Sequence, residues 1–198
     1  MTIPCDILVF GGTGDLALHK LLPALYHLFR EARLNPAVRV IALARRNLPR
    51  IDYLKLAERH CRAQIARSDF DEEVWRRFSA RVDYFPMDAS QSADFGRLAR
   101  YLGEPGGLTR IFYLATAPNL FVPIANHLRI AGLADNRGAW DMQADGQFLQ
   151  RLCNENENND GDHVLVKTIG GEDRKRVLFS YLKSRNLIFG PGKFVSSI

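Results

Sequence analysis

Apolar positions along the chain follow two alternating rhythms. Ile7-Leu8-Val9-Phe10, Val38-Arg39-Val40-Ile41-Ala42-Leu43-Ala44, Val82-Asp83-Tyr84-Phe85 and Ile111-Phe112-Tyr113-Leu114-Ala115 are short runs with few polar interruptions, as in strands covered on both faces. Pro86 closes the third run and Pro118 follows the fourth. Between the runs, apolar residues fall three and four positions apart. Leu16, Leu21, Leu22, Leu25, Leu28 and Phe29 make one such face, which predicts an amphipathic helix. The spacing also predicts helices over 53–66, 71–78, 92–102 and 119–131, the last capped by Gly132. Strands alternating with helices specify βαβ units with right-handed crossovers, so the expected fold class is α/β, a doubly wound parallel sheet.

After residue 134 this rhythm lapses. Residues 1–134 carry 16 arginines and 2 lysines against 13 acidic residues, a net charge of +5, whereas residues 135–198 carry 5 arginines, 4 lysines and 9 acids and are neutral. The run Asn154-Glu155-Asn156-Glu157-Asn158-Asn159-Asp160-Gly161-Asp162 is low in complexity and cannot bury enough apolar surface to offset its ordering entropy. The expected organisation is therefore an α/β domain at 1–134, a linker or disordered segment at 135–162, and a small segment of unknown role at 163–198. In that last segment 164–166 has the character of a strand and 173–183 that of a short helix.

Composition narrows the class of function. Hydrophobic residues at 46% and charged residues at 25% are ordinary for a soluble globular protein. No apolar run approaches the ~18 residues of a membrane helix, and no basic stretch precedes the apolar residues of the N-terminus, so neither a membrane span nor a signal peptide is expected and the cytoplasm is the expected location. Cys5, Cys61 and Cys153 form no CxxC pair, which argues against a disulfide framework and a zinc site. Asn156-x-Asn158-x-Asp160-Gly161 resembles the start of a calcium loop, but its twelfth position is Lys167 rather than a glutamate, so no metal is expected. The arginines are scattered among apolar residues, which reads as a solvated basic surface and not a nucleic-acid patch, although it also suits a small anionic ligand. The oligomeric state is left open.

The candidate chemistry lies in Val9-Phe10-Gly11-Gly12-Thr13-Gly14-Asp15-Leu16-Ala17-Leu18-His19-Lys20. A helix N-terminus presents unpaired amides and the positive end of the dipole to an anion, and the backbone of the preceding turn comes close only without β-carbons. Gly11 is expected at the tight turn, Gly12 at the close approach and Gly14 at the contact between helix and strand, with Thr13 adding a hydroxyl. Asp15 suits a helix N-cap or first-turn acid. The two readings are a Rossmann-like phosphate loop for a dinucleotide and a tight strand–helix turn without a ligand. The second strand ends in Ala44-Arg45-Arg46 with no acid for ribose hydroxyls. A guanidinium there suits a 2′-phosphate and favours NADP over NAD; the alternative is a solvated pair of loop arginines.

Three blocks carry a resemblance: Gly11-Gly12-Thr13-Gly14-Asp15-Leu16-Ala17 with Lys20-Leu21-Leu22-Pro23-Ala24-Leu25; Ala42-Leu43-Ala44-Arg45; and Phe112-Tyr113-Leu114-Ala115-Thr116-Ala117-Pro118-Asn119-Leu120-Phe121 with Ile124, Ala125 and Leu128. In this order and spacing, over about residues 5–134, the chain resembles the opening of the glucose-6-phosphate dehydrogenase family. The resemblance implies an NADP phosphate loop at Gly11, Gly12, Thr13, Gly14, Asp15 and Leu16. It further implies Arg45 on the 2′-phosphate, Arg46 beside the adenine or in support, and Ala117 and Pro118 beside the nicotinamide. Lys20 falls where the family has a lysine near the sugar phosphate, while His19 departs from the basic residue usual before it. The implied reaction is that of an oxidoreductase of the pentose phosphate pathway: a hydride passes from C1 of glucose 6-phosphate to NADP while a histidine takes the hydroxyl proton.

The remainder of the family pattern is not matched. The Glu-Lys-Pro strand, the Arg-Ile-Asp-His-Tyr-Leu-Gly-Lys block and the base histidine of a large antiparallel domain have no counterpart, so no catalytic residue is assigned. Val164-Leu165-Val166-Lys167-Thr168-Ile169-Gly170 has a likeness to the Glu-Lys-Pro strand, which makes Lys167 a second substrate-side candidate; an unrelated strand is the other reading. His163 is expected as a solvent-facing loop histidine, and the sheet edge beyond the fourth strand is expected to be exposed. Three functions stay open: a truncated family member lacking its base, a non-catalytic NADP-binding or sensor protein, and a different NADP-dependent reductase that uses the tail.

Overall fold

The computed structural model describes residues 4–103 and 108–133, and the backbone of 140–142, 148–150 and 163–166. In chain order the elements are β1 (Cys5–Phe10), a π-helical turn (Leu16–Leu21) continuous with α1 (Leu22–Arg30), β2 (Val38–Ala44), α2 (Arg50–Gln64) and α3 (Glu72–Ser79). There follow β3 (Val82–Pro86), α4 (Ser92–Leu102), β4 (Thr109–Leu114), a 3-10 turn (Pro118–Leu120) and α5 (Phe121–Ile130). Three short strands complete the series: β5 (Trp140–Met142), β6 (Phe148–Gln150) and β7 (His163–Val166). The main sheet is parallel, in the order β3-β2-β1-β4-β7, and β5 and β6 form a separate antiparallel pair. This is the doubly wound α/β architecture that the alternating pattern predicts.

The period of two along each strand sorts the core into two layers. Ile7, Val9, Val40, Ala42, Ile111 and Tyr113 pack against Leu21, Tyr26, Tyr53 and Phe78 on the face covered by α1, α2 and α3. Leu8, Phe10, Ile41, Leu43, Phe112 and Leu114 pack against Phe95, Leu98, Ile124 and Leu128 of α4 and α5 on the other. One polar exception is Asp6, buried on β1 and bound by Nε and a terminal nitrogen of Arg39 on the adjacent strand at 2.9 and 2.7 Å. This pairing satisfies a carboxylate that burial would otherwise penalise. Helix ends follow local chemistry. The Asp71 side chain accepts the Val74 amide at 2.8 Å as the N-cap of α3. Gly132, at φ +67°, closes α5 with paired bonds, Gly132 N–H to Arg129 O and Leu133 N–H to Leu128 O.

The tail keeps the strand expected at 164–166, as β7, and departs from expectation in where that strand pairs. The sheet gains a fifth strand, because β7 pairs with β4 in parallel, Arg110 opposite His163 and Tyr113 opposite Val166. His163 is therefore the first residue of a strand and not a loop histidine, and β4 is paired on both sides. The stretch expected as a linker at 135–162 contains the β5–β6 pair. Lys167, the run 154–162 and the short helix expected at 173–183 lie outside the described residues. Among the described residues no helix is long and apolar enough to cross a membrane.

Candidate functional site

The glycine turn sits at the carboxyl edge of the sheet, between β1 and the π-helical turn. Gly11 has φ +82°, and a Cβ built on it would stand 2.5 Å from the carbonyl oxygen of Ala115, so both backbone sterics and the close passage of the chain after β4 require glycine. The amides of Gly11 and Gly12 both donate to Leu43 O at 2.9 Å, which fastens the turn to β2. A Cβ on Gly12 would lie 2.6 Å from Ala42 Cβ, whereas one on Gly14 would meet only Gly11 O, at 3.1 Å. This exchanges the two expected roles. The tight packing expected of Gly14 falls on Gly12, because the turn folds back over β2, and Gly14 is the open position.

The first hydrogen bond of the helix runs from Leu18 N–H to Gly14 O at 3.0 Å. The amides of Asp15, Leu16 and Ala17 precede it and have no acceptor within the helix. Asp15 occupies the N-cap position, but its side chain makes no capping bond; its carboxylate points to solvent, 3.7 Å from His19 Nδ1. An open glycine beside uncommitted first-turn amides fits an anionic group such as a pyrophosphate. Thr13, partly buried, stands between Gly12 and Gly14. Thr116, beside Gly11, has a buried hydroxyl with no hydrogen-bond partner.

Two contacts that sequence reasoning missed lock this turn to α2. The Tyr53 hydroxyl donates to Gly12 O at 3.0 Å, and its ring stacks on Tyr84 with centroids 4.6 Å apart. Tyr84 in turn donates to the carbonyls of Arg46 and Ala44. The glycine turn and the loop after β2 are thus bridged by a stacked pair of phenols, and burial raises the pKa of each, so both remain donors. The second contact joins His19 Nε2 to His60 Nδ1 at 2.6 Å. Burial holds the His60 pKa below its ordinary value, helped by the charges of His19 and Arg59 and opposed by Asp15. The signal available in the sequence was that a buried tyrosine needs an acceptor for its hydroxyl.

Arg45, Arg46, Ala117 and Pro118 follow strand ends at this same edge of the sheet. β2 ends at Ala44, and Arg45 and Arg46 follow it, both exposed. The charge of Arg45 acts on Asp88, whose pKa is lowered chiefly by the backbone and side-chain hydrogen bonds of Ser90. Arg46 lines a cavity of about 260 Å³ with Leu48, Asp52, Lys55, Leu56 and Arg59. Ala117 and Pro118 are exposed where the chain leaves β4, two and three residues past the Ala115 carbonyl that faces Gly11. Lys20 is exposed in the π-helical turn. Lys167 lies outside the described residues. Among the described residues no group of three or more His, Cys, Asp or Glu side chains is arranged to hold a metal ion.

Comparison with known proteins gives this geometry a context. Residues 8–142 match the family model described as glucose-6-phosphate dehydrogenase, NAD binding domain. The glucose-6-phosphate 1-dehydrogenase of Mycolicibacterium smegmatis is 37% identical over 134 residues, covering 66% of this chain and 27% of the relative. That of Rhizobium meliloti is 36% identical over 126 residues, covering 64% of this chain and 26% of the relative. The chain thus spans about a quarter of the length of these curated relatives. The crystal structure of glucose-6-phosphate 1-dehydrogenase from Mycobacterium avium shares the fold, with a TM-score of 0.63 at 23% identity over 93% of this chain and 34% of that one.

Proposed function

Because the chain belongs to the glucose-6-phosphate dehydrogenase family through its NAD-binding domain, we propose that it binds NADP at the carboxyl edge of its sheet and serves oxidation of glucose 6-phosphate at C1. One observation carries this reading: an open glycine turn with uncommitted helix amides is followed, at the end of the next strand, by two arginines and no acid. Gly11, Gly12, Thr13, Gly14, Asp15 and Leu16 would cradle the cofactor's phosphates through backbone groups, the helix dipole and the Thr13 hydroxyl. Arg45 and Arg46 would hold its 2′-phosphate and adenosine side. Ala117 and Pro118 would border the nicotinamide, which when bound supplies the hydride acceptor. Lys20 would approach the sugar phosphate, with Lys167 as a second candidate.

Residues 1–134 are on this reading the cofactor domain. Beyond them the stretch 164–170 carries the likeness to a substrate-side strand that makes Lys167 a candidate, and no residue there is assigned as the histidine base. General-base help of that kind is worth about 10²–10⁴ in rate, so this chain by itself is expected to oxidise glucose 6-phosphate negligibly while still binding NADP. The test is calorimetric titration with NADP and NAD, beside NADPH absorbance with saturating glucose 6-phosphate and a His163→Ala control. Tighter NADP binding without turnover is the expected result. Equal affinity for the two cofactors would refute the 2′-phosphate assignment. Robust turnover lost in His163→Ala would make His163 the base, and turnover insensitive to that change would place a base elsewhere in the chain.

A further inference from the structure

The backbone amides of the glycine turn are not equivalent. Gly11 and Gly12 both donate to Leu43 O, and Gly14 donates to Gly11 O at 2.8 Å, so these three hold the turn together. Among the described residues the Thr13 amide has no acceptor. Its direction is set by the peptide it belongs to. In a planar trans peptide the C=O of one residue and the N–H of the next point opposite ways. Gly12 O accepts the Tyr53 hydroxyl at 3.0 Å in the core, so the Thr13 N–H points away from that hydroxyl and out of the core.

Tyr53 can hold that aim because it is itself fixed. It is fully buried on α2, and its ring is stacked on Tyr84. Without its hydroxyl, Gly12 O would be a buried carbonyl lacking a donor, which costs free energy. Gly12 has no side chain to resist, so the peptide plane would tilt to recover a partner, and the Thr13 amide would tilt with it. We infer that Tyr53 is a positioning residue for the cofactor: by holding Gly12 O inward it aims the Thr13 amide at the pyrophosphate that NADP and NAD share. This rests on the dinucleotide reading above and deepens it, since a fully buried side chain acts on a ligand only through the turn it holds. Tyr84 is the comparison within the same stack. Its hydroxyl donates to the carbonyls of Arg46 and Ala44, not to the turn.

The experiment is calorimetric titration of the whole chain and its Tyr53→Phe and Tyr84→Phe variants with NADP and NAD, beside two-dimensional amide NMR spectra that follow Thr13. Phenylalanine keeps each ring and its stack, and circular dichroism checks that each variant folds as the parent does. Tyr53→Phe is expected to weaken NADP and NAD by the same factor, about 10-fold, the scale of one lost charge-assisted hydrogen bond. It should also shrink the shift of the Thr13 amide on binding. Tyr84→Phe leaves the bond to Gly12 in place, so NAD affinity and the Thr13 shift should match the parent. A merely structural role for Tyr53 would lower Tm and leave the affinity of the folded variant unchanged; that result overturns the inference while the cofactor reading stands. A loss confined to NADP, or a loss of NAD affinity equal in the two variants, overturns it as well. If Tyr53→Phe does not fold, the parent chain decides: a Thr13 amide that shifts when NADP binds supports the aim, and one that does not overturns it. A parent chain that binds neither dinucleotide overturns both readings together.

Discussion

Replacing each glycine of the turn with alanine in separate variants distinguishes what the fold needs from what a ligand needs. In Gly12→Ala the new Cβ would stand 2.6 Å from Ala42 Cβ and 3.0 Å from Ala42 Cα. Carbon atoms rest at about 3.5–4.0 Å, so the overlap is about 1 Å. Ala42 cannot retreat, because β2 is hydrogen-bonded to β1 on one side and β3 on the other. Overpacking of this kind costs about 1–3 kcal/mol, and each kcal/mol lowers Tm by about 2–4 °C in a chain of this size. Gly11→Ala adds a left-handed φ, worth about 1–2 kcal/mol, to a 2.5 Å clash with a backbone carbonyl oxygen, and should be the worst of the three. Gly14→Ala meets only Gly11 O at 3.1 Å and restricts the unfolded chain, a gain of about 0.4–1 kcal/mol at a compatible site, so its Tm should stay close to that of the parent. Thermal melts followed by far-UV circular dichroism, with NADP titrations on the folded variants, read both effects. The expected order of destabilisation is Gly11, Gly12, Gly14, with Gly14→Ala losing NADP affinity at nearly unchanged Tm. A Gly14→Ala variant as unstable as Gly12→Ala would refute the packing argument, and one that binds NADP normally would refute the cradle.

Two further outcomes follow from buried titratable groups. Cys5 and Cys61 are fully buried, and burial pushes both thiols up to about 12, so at pH 8 a maleimide should label neither in the native protein and both in denaturant; mass spectrometry of the two peptides gives the answer. The His60 pKa lies below its unfolded value of 6.5, so the unfolded chain takes up that proton first. The stability from neutral His60 is then complete above pH 6.5 and lost as pH falls through the folded pKa, and the urea midpoint should fall from pH 7.5 to pH 5.5, less steeply in His60→Gln. A parent midpoint that rises on acidification would contradict the burial of this ring.

The fold of residues 5–133 was legible because its signals are local and repeated. Four apolar runs mark the β1 to β4 strands, and α4 spans the residues its spacing predicts. Asp71 and Gly132 mark helix ends by chemistry that needs no tertiary contact. The site was legible only in outline. Which glycine packs and which stays open depends on how the turn lies over Ala42, a contact between chain segments far apart in sequence. Tyr53 and Tyr84 read as one helix and one strand residue, and only the crossing of α2 over β3 brings them together. The strand β7 carries the right residues but lies far from β4 in sequence, and periodicity cannot assign it a neighbour.

The late arrival of that strand bears on how the molecule is made. β4 pairs with β1 as soon as its own residues are available, but its other edge waits until the chain has passed through α5, β5 and β6 to reach His163–Val166. During synthesis at about 5–20 residues per second, that edge is an open row of amides and carbonyls for several seconds, flanked by side chains that end up buried. A nascent chain in this interval is a natural client for chaperones that shield unpaired strands. Substitutions that weaken β7 would then lower soluble yield more than they lower the Tm of whatever protein does fold.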